Sequence, residues 1–232
     1  LSMGTVVGQA HTSTPMFSAT VETIELNPYW YVPPGIVAKE LAPKVRQNPD
    51  YLEEHGFETV REWNDPDPIE VSSTEWEDVD ERRPSFKVRQ RPGPENLLGV
   101  AKILFPNRFD VYLHDTPSKH LFAETERDFS HGCIRIERPL ELVERLIADP
   151  EQWSRGRIDD VVASGARTVV PVPNPVPVHL LYSTAWVDAE GTVHFADDVY
   201  GEDRRLEEAM ARPRTRFTSW REDPLAESAK SP

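Results

Sequence analysis

The sequence predicts a mainly β domain with a few helices, of the α+β class. Several segments rich in β-branched and aromatic residues alternate apolar and polar positions, as strands do. The chain holds 22 Pro against 11 Gly, a balance that favours extended segments, turns and rigid loops over a helix bundle. A hydrophobic content of 38% with six Trp is sufficient for a packed core.

The first half of the chain predicts two strands followed by an insertion. Strands are expected at residues 4–9 and 19–33, where Val, Ile, Thr and aromatic residues recur. A helix is expected at residues 33–47, which begin with proline. Its apolar positions at helical spacing are Ile36, Val37, Leu41 and Val45. A second short helix ends at Gly56, and an acidic stretch follows, so residues 35–85 are predicted to be a helical and loop insertion.

The second half returns to strands. They are expected within residues 97–107, 109–115 and 134–137. Pro139 opens a helix with one apolar stripe, formed by Leu140, Val143, Leu146 and Ile147. Extended chain with a proline-rich corner follows. The sequence therefore predicts a single domain at residues 1–211 and a polar tail at residues 212–232.

Charge and composition exclude several classes of function. A net charge of −14 argues against nucleic acid as a partner, because neutralising phosphates requires clustered Lys and Arg. No apolar run is long enough to span a membrane. The single cysteine excludes a disulfide within the chain, and no cofactor or metal is expected. We expect a monomer, and we expect residues to be missing before the first one, since LSMGTVVGQ lacks an initiator Met.

One segment gathers the chemically reactive side chains. Residues 110–137, DVYLHDTPSKHLFAETERDFSHGCIRIE, contain the only cysteine and three of the seven histidines. Because side chains alternate along a strand, Tyr112 and His114 are predicted to face a cleft while their apolar neighbours face the core. Cys133 and Arg135 share one face in the same way. Two adjacent strands would bring these four side chains together.

A Cys–His pair is suited to nucleophilic catalysis. The reference thiol pKa of about 8.5 leaves only a few per cent thiolate at neutral pH, and a neighbouring histidine removes the proton. The imidazole of His114 then needs an acceptor on its other nitrogen, for which the carbonyl or the carboxylate of Asp115 is nearest. Gly132 lets the backbone approach a substrate, and the amides of Gly132 and Cys133 are candidate oxyanion donors.

This arrangement resembles the catalytic domain of the L,D-transpeptidases, which cross-link bacterial peptidoglycan. The family signature is a His followed at a distance by Ser/Thr-His-Gly-Cys, a hydrophobic residue and Asn or Arg. Here fifteen residues separate His114 from the motif Ser130-His131-Gly132-Cys133-Ile134-Arg135. The final Arg and the segments NPYWYVPPGIV, RPGPENLLG, FPN and YLHDTPSKHLF are similar to the larger, Gram-negative branch, and the resemblance covers most of residues 4–200.

The resemblance implies a fold and a set of roles. It implies a β-sandwich-like catalytic core, with residues 35–85 as a capping insertion near the cleft. Cys133 would be the nucleophile, His114 the general base, Asp115 the residue that orients the base through its carbonyl, and Gly132 an oxyanion amide. The residues implied on the substrate side are Tyr112, Ser130, His131 and Arg135. Many relatives of this branch carry Ser at the position of His131, so loop or oxyanion-side support is expected of it rather than proton transfer.

The resemblance also implies the reaction. The cysteine takes the acyl group of a tetrapeptide stem at its diamino acid and releases D-alanine, and the amine of a second stem attacks to give a 3→3 link. The expected partners are peptidoglycan stems, the expected location is the periplasm or cell envelope, and carbapenems are expected to acylate the same thiol. Water or a lipoprotein as acceptor remains open, which would give an L,D-carboxypeptidase or an attaching acyltransferase.

Three other classes compete with this interpretation. His114, His120, His131 and Cys133 could bind zinc, although separations of five, ten and one residues fit no zinc pattern. A non-catalytic peptidoglycan-binding module would need no thiol. Papain-like peptidases place Cys before His, the reverse of the order here.

Overall fold

A computed structural model of the chain describes residues 1–80 and 85–211. These residues form an α+β fold, which confirms the fold class predicted from the sequence, and they contain twelve strands. The chain divides into two compact units after residue 182, and the described part of the second unit is residues 183–211. The domain at residues 1–211 stays a prediction. The predicted polar tail at residues 212–232 lies outside the described residues.

A seven-stranded mixed sheet is the centre of the first unit. In spatial order its strands are β10 (Thr168–Leu180), β2 (Phe17–Leu26), β6 (Ala101–Leu104), β7 (Leu113–His114), β9 (Ile134–Ile136), β1 (Thr5–Gly8) and β8 (Asp128–Ser130). Two neighbouring pairs, β7 with β9 and β1 with β8, are parallel, and the others are antiparallel. The proline-rich segment is the edge strand β10, where missing amide donors are tolerated.

One face of the sheet packs against two helices, α5 (Pro139–Ile147) and α6 (Arg155–Ala163). The buried side chains from the strands and helices include Ile24, Leu26, Ile103, Ile134, Ile136, Val143, Ile147 and Ile158. Helix α5 was predicted from its stripe, but α6 was not. Only Ile158 and Val161 of α6 are buried, which is too few to give a clear helical period. The sequence signal for the start of this helix is its N-cap residue, Ser154.

Residues 30–80 and 85–98 form a separate layer, which we call the cap. Its helical elements are α1 (Pro34–Ile36), a π-helical turn (Val37–Leu41), α2 (Ala42–Gln47), α3 (Tyr51–Glu54) and α4 (Ser73–Glu77). The π turn precedes Pro43, which has no N–H for an α-helical bond to residue 39. The cap has its own core, which includes Trp30, Val32, Leu41, Phe57, Trp76, Phe86 and Val88.

The cap also contains a three-stranded antiparallel sheet, so the prediction of helix and loop alone for residues 35–85 was incomplete. The sheet order is β3 (Trp30–Tyr31), β5 (Lys87–Gln90) and β4 (Phe57–Val60). Strand β4 was missed because four residues are too few to show alternation and because its partner β5 lies beyond the predicted boundary.

The described part of the second unit, residues 183–211, is a hairpin and a helix. Strands β11 (Ala185–Val187) and β12 (Val193–Phe195) are antiparallel, and helix α7 covers Glu202–Ala211. Two short 3-10 helices in the first unit cover Ala10–Thr12 and Lys119–Ala123. Among the described helices, none is long and apolar enough to cross a membrane.

Gly99, which follows the last residue of the cap, provides a test of this architecture. Its φ is +59°, and an added Cβ would lie 2.3 Å from Asp115 Oδ2. Gly99→Ala should therefore lower the free energy of unfolding by roughly 1–3 kcal/mol, from backbone strain and displacement of the carboxylate. Urea denaturation measures this change.

Gly156→Ala is the matched control for that substitution. Gly156 lies in α6, and no atom of another segment lies within 4 Å of the place that the new Cβ would take. The substitution should be neutral or slightly stabilising, because alanine is the better helix former. Equal effects of the two substitutions would show that the close approach of Asp115 to Gly99 has no energetic consequence.

Candidate active site

The sheet face opposite α5 and α6 carries a row of polar side chains. Strand register aligns Glu25 of β2 with Lys102 of β6, Lys102 with His114 of β7, and His114 with Arg135 of β9. Each lies next to apolar residues that face the helices, so alternation places all four on the opposite face. We call these four residues the polar row.

The parallel pairing of β7 with β9 brings the histidine and the cysteine to the same face. Leu113 is opposite Ile134, and the Ile134 N–H donates to the Tyr112 carbonyl at 3.1 Å. Cys133 therefore lies beside Tyr112 and diagonal to His114. Diagonal neighbours on one sheet face are roughly 7–8 Å apart at the backbone, a span that side chains bridge.

His114 is buried, and a hydrogen bond holds its ring in one tautomer. It is 5% exposed, and its Nδ1 lies 2.5 Å from the Asp115 carbonyl oxygen. A carbonyl only accepts, so Nδ1 carries the proton and Nε2 keeps its lone pair. Burial lowers the pKa of His114 to about 3, with the charges of Arg135 and Lys102 acting in the same direction and the Asp115 hydrogen bond opposing them.

Cys133 is half-buried and free. Its Sγ lies 3.8 Å from the carbonyl oxygen of Asp110, a residue with φ of 53°. Burial raises the pKa of the thiol, while hydrogen bonds from Tyr112 and the charge of Lys102 oppose that rise. At neutral pH the site therefore contains an uncharged thiol and an uncharged imidazole.

In the turn before Cys133, two residues make contacts that differ from those their predicted roles require. Ser130 was predicted on the substrate side, but it is 2% exposed, and its hydroxyl donates to the Cys133 carbonyl at 2.5 Å. The Gly132 N–H was predicted as an oxyanion donor, but it donates to Ser130 Oγ at 3.0 Å. Both groups are bonded within the turn because Gly132 has φ of +112°, which closes the backbone on Ser130. Ser130 thus shapes the turn, and the Gly132 amide is already engaged in a hydrogen bond within it.

The other residues predicted on the substrate side are Tyr112, Arg135 and His131, and they lie in the strand segments and the turn next to Cys133. Tyr112 is half-buried against the cap core, and its ring meets that of His114 edge-on with centroids 5.7 Å apart. Arg135 is half-buried, and its Nε is buried with no hydrogen-bond partner among the described residues. His131 is exposed, and its Nε2 lies 2.8 Å from Glu40 Oε1 in the π turn of the cap. The motif turn is therefore tied to the cap.

Asp115 contributes two different contacts. Its carbonyl orients His114, as described above. Its carboxylate is buried and accepts from the Val100 N–H at 2.9 Å and from the Lys119 ammonium. The carboxylate thus fixes the strand end, and the backbone of the same residue meets the base.

Sequence reasoning missed Glu25, Lys102 and Glu40. The sequence did contain a signal for Glu25 and Lys102. Each is a charged residue between two apolar residues of a strand, in IEL and AKI. Glu40 gave no signal, since its partner His131 is distant in sequence. His120, one of the residues considered for zinc, is exposed, and no cluster of three or more potential metal ligands occurs in residues 1–80 and 85–211.

The fold and the site together define a mixed-sheet domain with a cysteine and a histidine on one face, beneath a cap. The sequence matches the model of the L,D-transpeptidase catalytic domain family (YkuD) over residues 1–172. The match covers well over half of the 232 residues, so the chain belongs to this family.

A relative supports the same assignment. The chain is 32% identical over 201 residues to a Haemophilus influenzae protein named "Putative L,D-transpeptidase". The similarity covers 87% of this chain and 40% of the relative, so the chain spans less than half of that protein's length.

The buried state of His114 predicts a pH dependence of stability. An unfolded histidine binds a proton as the pH falls below about 6.5, whereas folded His114 stays neutral until about 3. Stability should therefore fall as the pH decreases across this window, by at most about 1.4 kcal/mol per pH unit for one proton. Urea denaturation of the wild type and of His114→Gln at several pH values isolates the contribution, because the carboxylates are common to both. His120→Gln should retain it; a wild-type slope equal to that of His114→Gln would contradict the neutral assignment.

Proposed function

We propose that this domain is a cysteine-dependent L,D-transpeptidase that forms 3→3 cross-links between peptidoglycan stems. The observation that carries the proposal is the placement of Cys133 and His114 on one face of the paired strands β7 and β9, with the base oriented through its Nδ1. Family membership supports the substrate class.

In the proposed first step, the thiol is deprotonated as it attacks. Both groups rest uncharged, since burial raises the pKa of Cys133 and lowers that of His114. A preformed thiolate–imidazolium pair is therefore disfavoured. The S–H proton moves to His114 Nε2 while Sγ bonds to the diamino acid carbonyl of a tetrapeptide stem. The Cys133 amide holds the oxyanion, and the proton then leaves with the amine of D-alanine.

The second step releases the enzyme. The side-chain amine of another stem attacks the thioester, gives its proton to His114 and forms the new amide as the thiol is restored. Tyr112 and Arg135 lie beside the sulfur and are proposed to position the stems. His131 is proposed to hold the motif turn against the cap through Glu40 rather than to transfer protons. The substrate places the proposed site of action in the periplasm or cell envelope.

Other acceptors would use the same acyl-enzyme. Water would make the domain an L,D-carboxypeptidase, and a lipoprotein amine would make it an attaching acyltransferase. Product analysis with labelled stems separates the three outcomes, since only the transpeptidase gives a cross-linked dimer.

Acylation by a carbapenem tests the nucleophile. The β-lactam carbonyl reacts with a thiol and stays attached, so the wild type should gain the mass of one carbapenem in intact mass spectrometry. Cys133→Ala should gain none. His120→Ala, which changes an exposed histidine and retains the thiol, should react like the wild type. An adduct on the alanine variant would place the nucleophile elsewhere.

Acylation by a stem peptide tests the donor and the base. A tetrapeptide stem should give an acyl-enzyme with loss of D-alanine, whereas a tripeptide stem should give none. His114→Gln should slow this step by about 10²–10⁴-fold, the usual contribution of a positioned base. Quenched-flow mass spectrometry measures the rate. A His114→Gln rate within a few-fold of the wild type would exclude His114 as the base.

A further inference from the structure

Lys102 occupies a central place that the proposed mechanism does not use. It lies in the middle of β6, in register with Glu25 on one side and His114 on the other. Its ammonium is 4.2 Å from the centroid of the Tyr112 ring. Among residues 1–80 and 85–211 it has no hydrogen bond or ion-pair partner, so its charge is compensated only at longer range.

The polar row carries more positive than negative charge around the thiol. Glu25 is 7% exposed, and its Oε1 pairs with Arg167 at 2.7 Å. Its Oε2 has no hydrogen-bond partner among the described residues, and its charge acts on Lys102 only at longer range. Lys102 and Arg135 lie on the two sides of neutral His114. A half-buried ammonium without a partner is costly, since desolvation disfavours the charge. The arrangement is stabilised when a negative charge forms nearby.

We propose that Lys102 is a positioning residue of the active site: its ammonium, held over the Tyr112 ring, stabilises the negative charge that develops on the Cys133 sulfur. Tyr112 lies between the two groups, because its ring receives Lys102 on its face and the strand register places it beside Cys133, whose pKa it lowers. A cation on the ring face polarises the phenol and strengthens it as a donor to sulfur. The proposal rests on Cys133 being the reactive thiol but not on any particular substrate.

The titratable and charged groups that lie around the thiol come from several elements. They are Lys102 from β6, Tyr112 and His114 from the β7 segment, Arg135 from β9 and Asp110 from the preceding loop. Asp110 opposes thiolate formation, and Lys102 favours it. Burial lowers the pKa of Lys102, and the nearby charges of Glu25 and Cys133 oppose that change.

The test is the pH dependence of alkylation by iodoacetamide, which needs no stem. The thiolate attacks the methylene carbon and iodide leaves. Lys102→Met should raise the midpoint of the rate profile. A rise of one pKa unit cuts the thiolate fraction tenfold, and the higher nucleophilicity of the remaining thiolate recovers part of the rate. The rate at neutral pH should therefore fall by roughly threefold to fivefold. Lys102→Arg should restore the midpoint of the rate profile and the rate at neutral pH.

Lys44→Met is the matched control. Lys44 also lies over a tyrosine ring, that of Tyr51, at 5.3 Å, but in the cap. This change should leave the alkylation profile unchanged. Thermal unfolding of each variant checks that the fold is retained.

Glu25→Gln should shift the midpoint of the alkylation profile in the direction opposite to the shift from Lys102→Met. Removing this negative charge leaves Arg167 and Lys102 uncompensated, so the midpoint should fall and alkylation at neutral pH should become faster. If Lys102 and Glu25 had only a structural role, Lys102→Met and Glu25→Gln would either both slow alkylation or both leave it unchanged. Unchanged midpoints in folded Lys102→Met and Glu25→Gln would overturn the proposal, and so would a Lys102→Arg variant that behaves like Lys102→Met. These results stand apart from carbapenem and stem acylation, which test the proposed function itself.

Discussion

The parallel pairing of β7 with β9 is the constraint on which the site depends. It places His114 opposite Arg135 and brings Cys133 beside Tyr112. Because side chains alternate, a slip of one residue in β9 would turn Cys133 and Arg135 into the apolar core and bring two isoleucines to the cleft. Ile134 and Ile136 are nearly fully buried against the helices, and their burial opposes that slip. The apolar face of the sheet therefore fixes the position of the chemistry on the other face.

The cap contacts the two segments that carry the candidate reacting groups. Tyr112 packs against the cap core, and the cap residue Glu40 pairs with His131 of the motif turn. Removal of water disfavours charge on either reacting group, so burial lowers the pKa of His114 and raises that of Cys133. A neutral pair is less nucleophilic at rest than an ion pair. It also keeps the imidazole free to accept a proton at any pH in the physiological range.

Much of the site could be predicted from sequence because it is local. His114 and Asp115 are adjacent, the motif turn is continuous, and strand alternation assigns each side chain to a face. The missed features depend on contacts between distant segments. Glu40 meets His131 only through the fold, and β4 finds its partner in β5 beyond the predicted insertion. The roles of Ser130 and the Gly132 amide depend on a backbone φ that no sequence pattern specifies, although the glycine itself was the clue.

Asp115 links two features of the structure. One is the point where the chain returns from the cap to the sheet, and the other is the orientation of the candidate base His114. Its carboxylate accepts from Val100, directly after Gly99, where the cap rejoins the sheet. Its carbonyl holds His114 Nδ1. A displacement of the cap end that moved the carboxylate would also affect the Asp115 carbonyl and the His114 ring bonded to it. The absence of a side chain at Gly99 is what allows the carboxylate to lie against the backbone there, since a Cβ would occupy its place. A glycine outside the motif thus governs the geometry of the candidate base through a single aspartate.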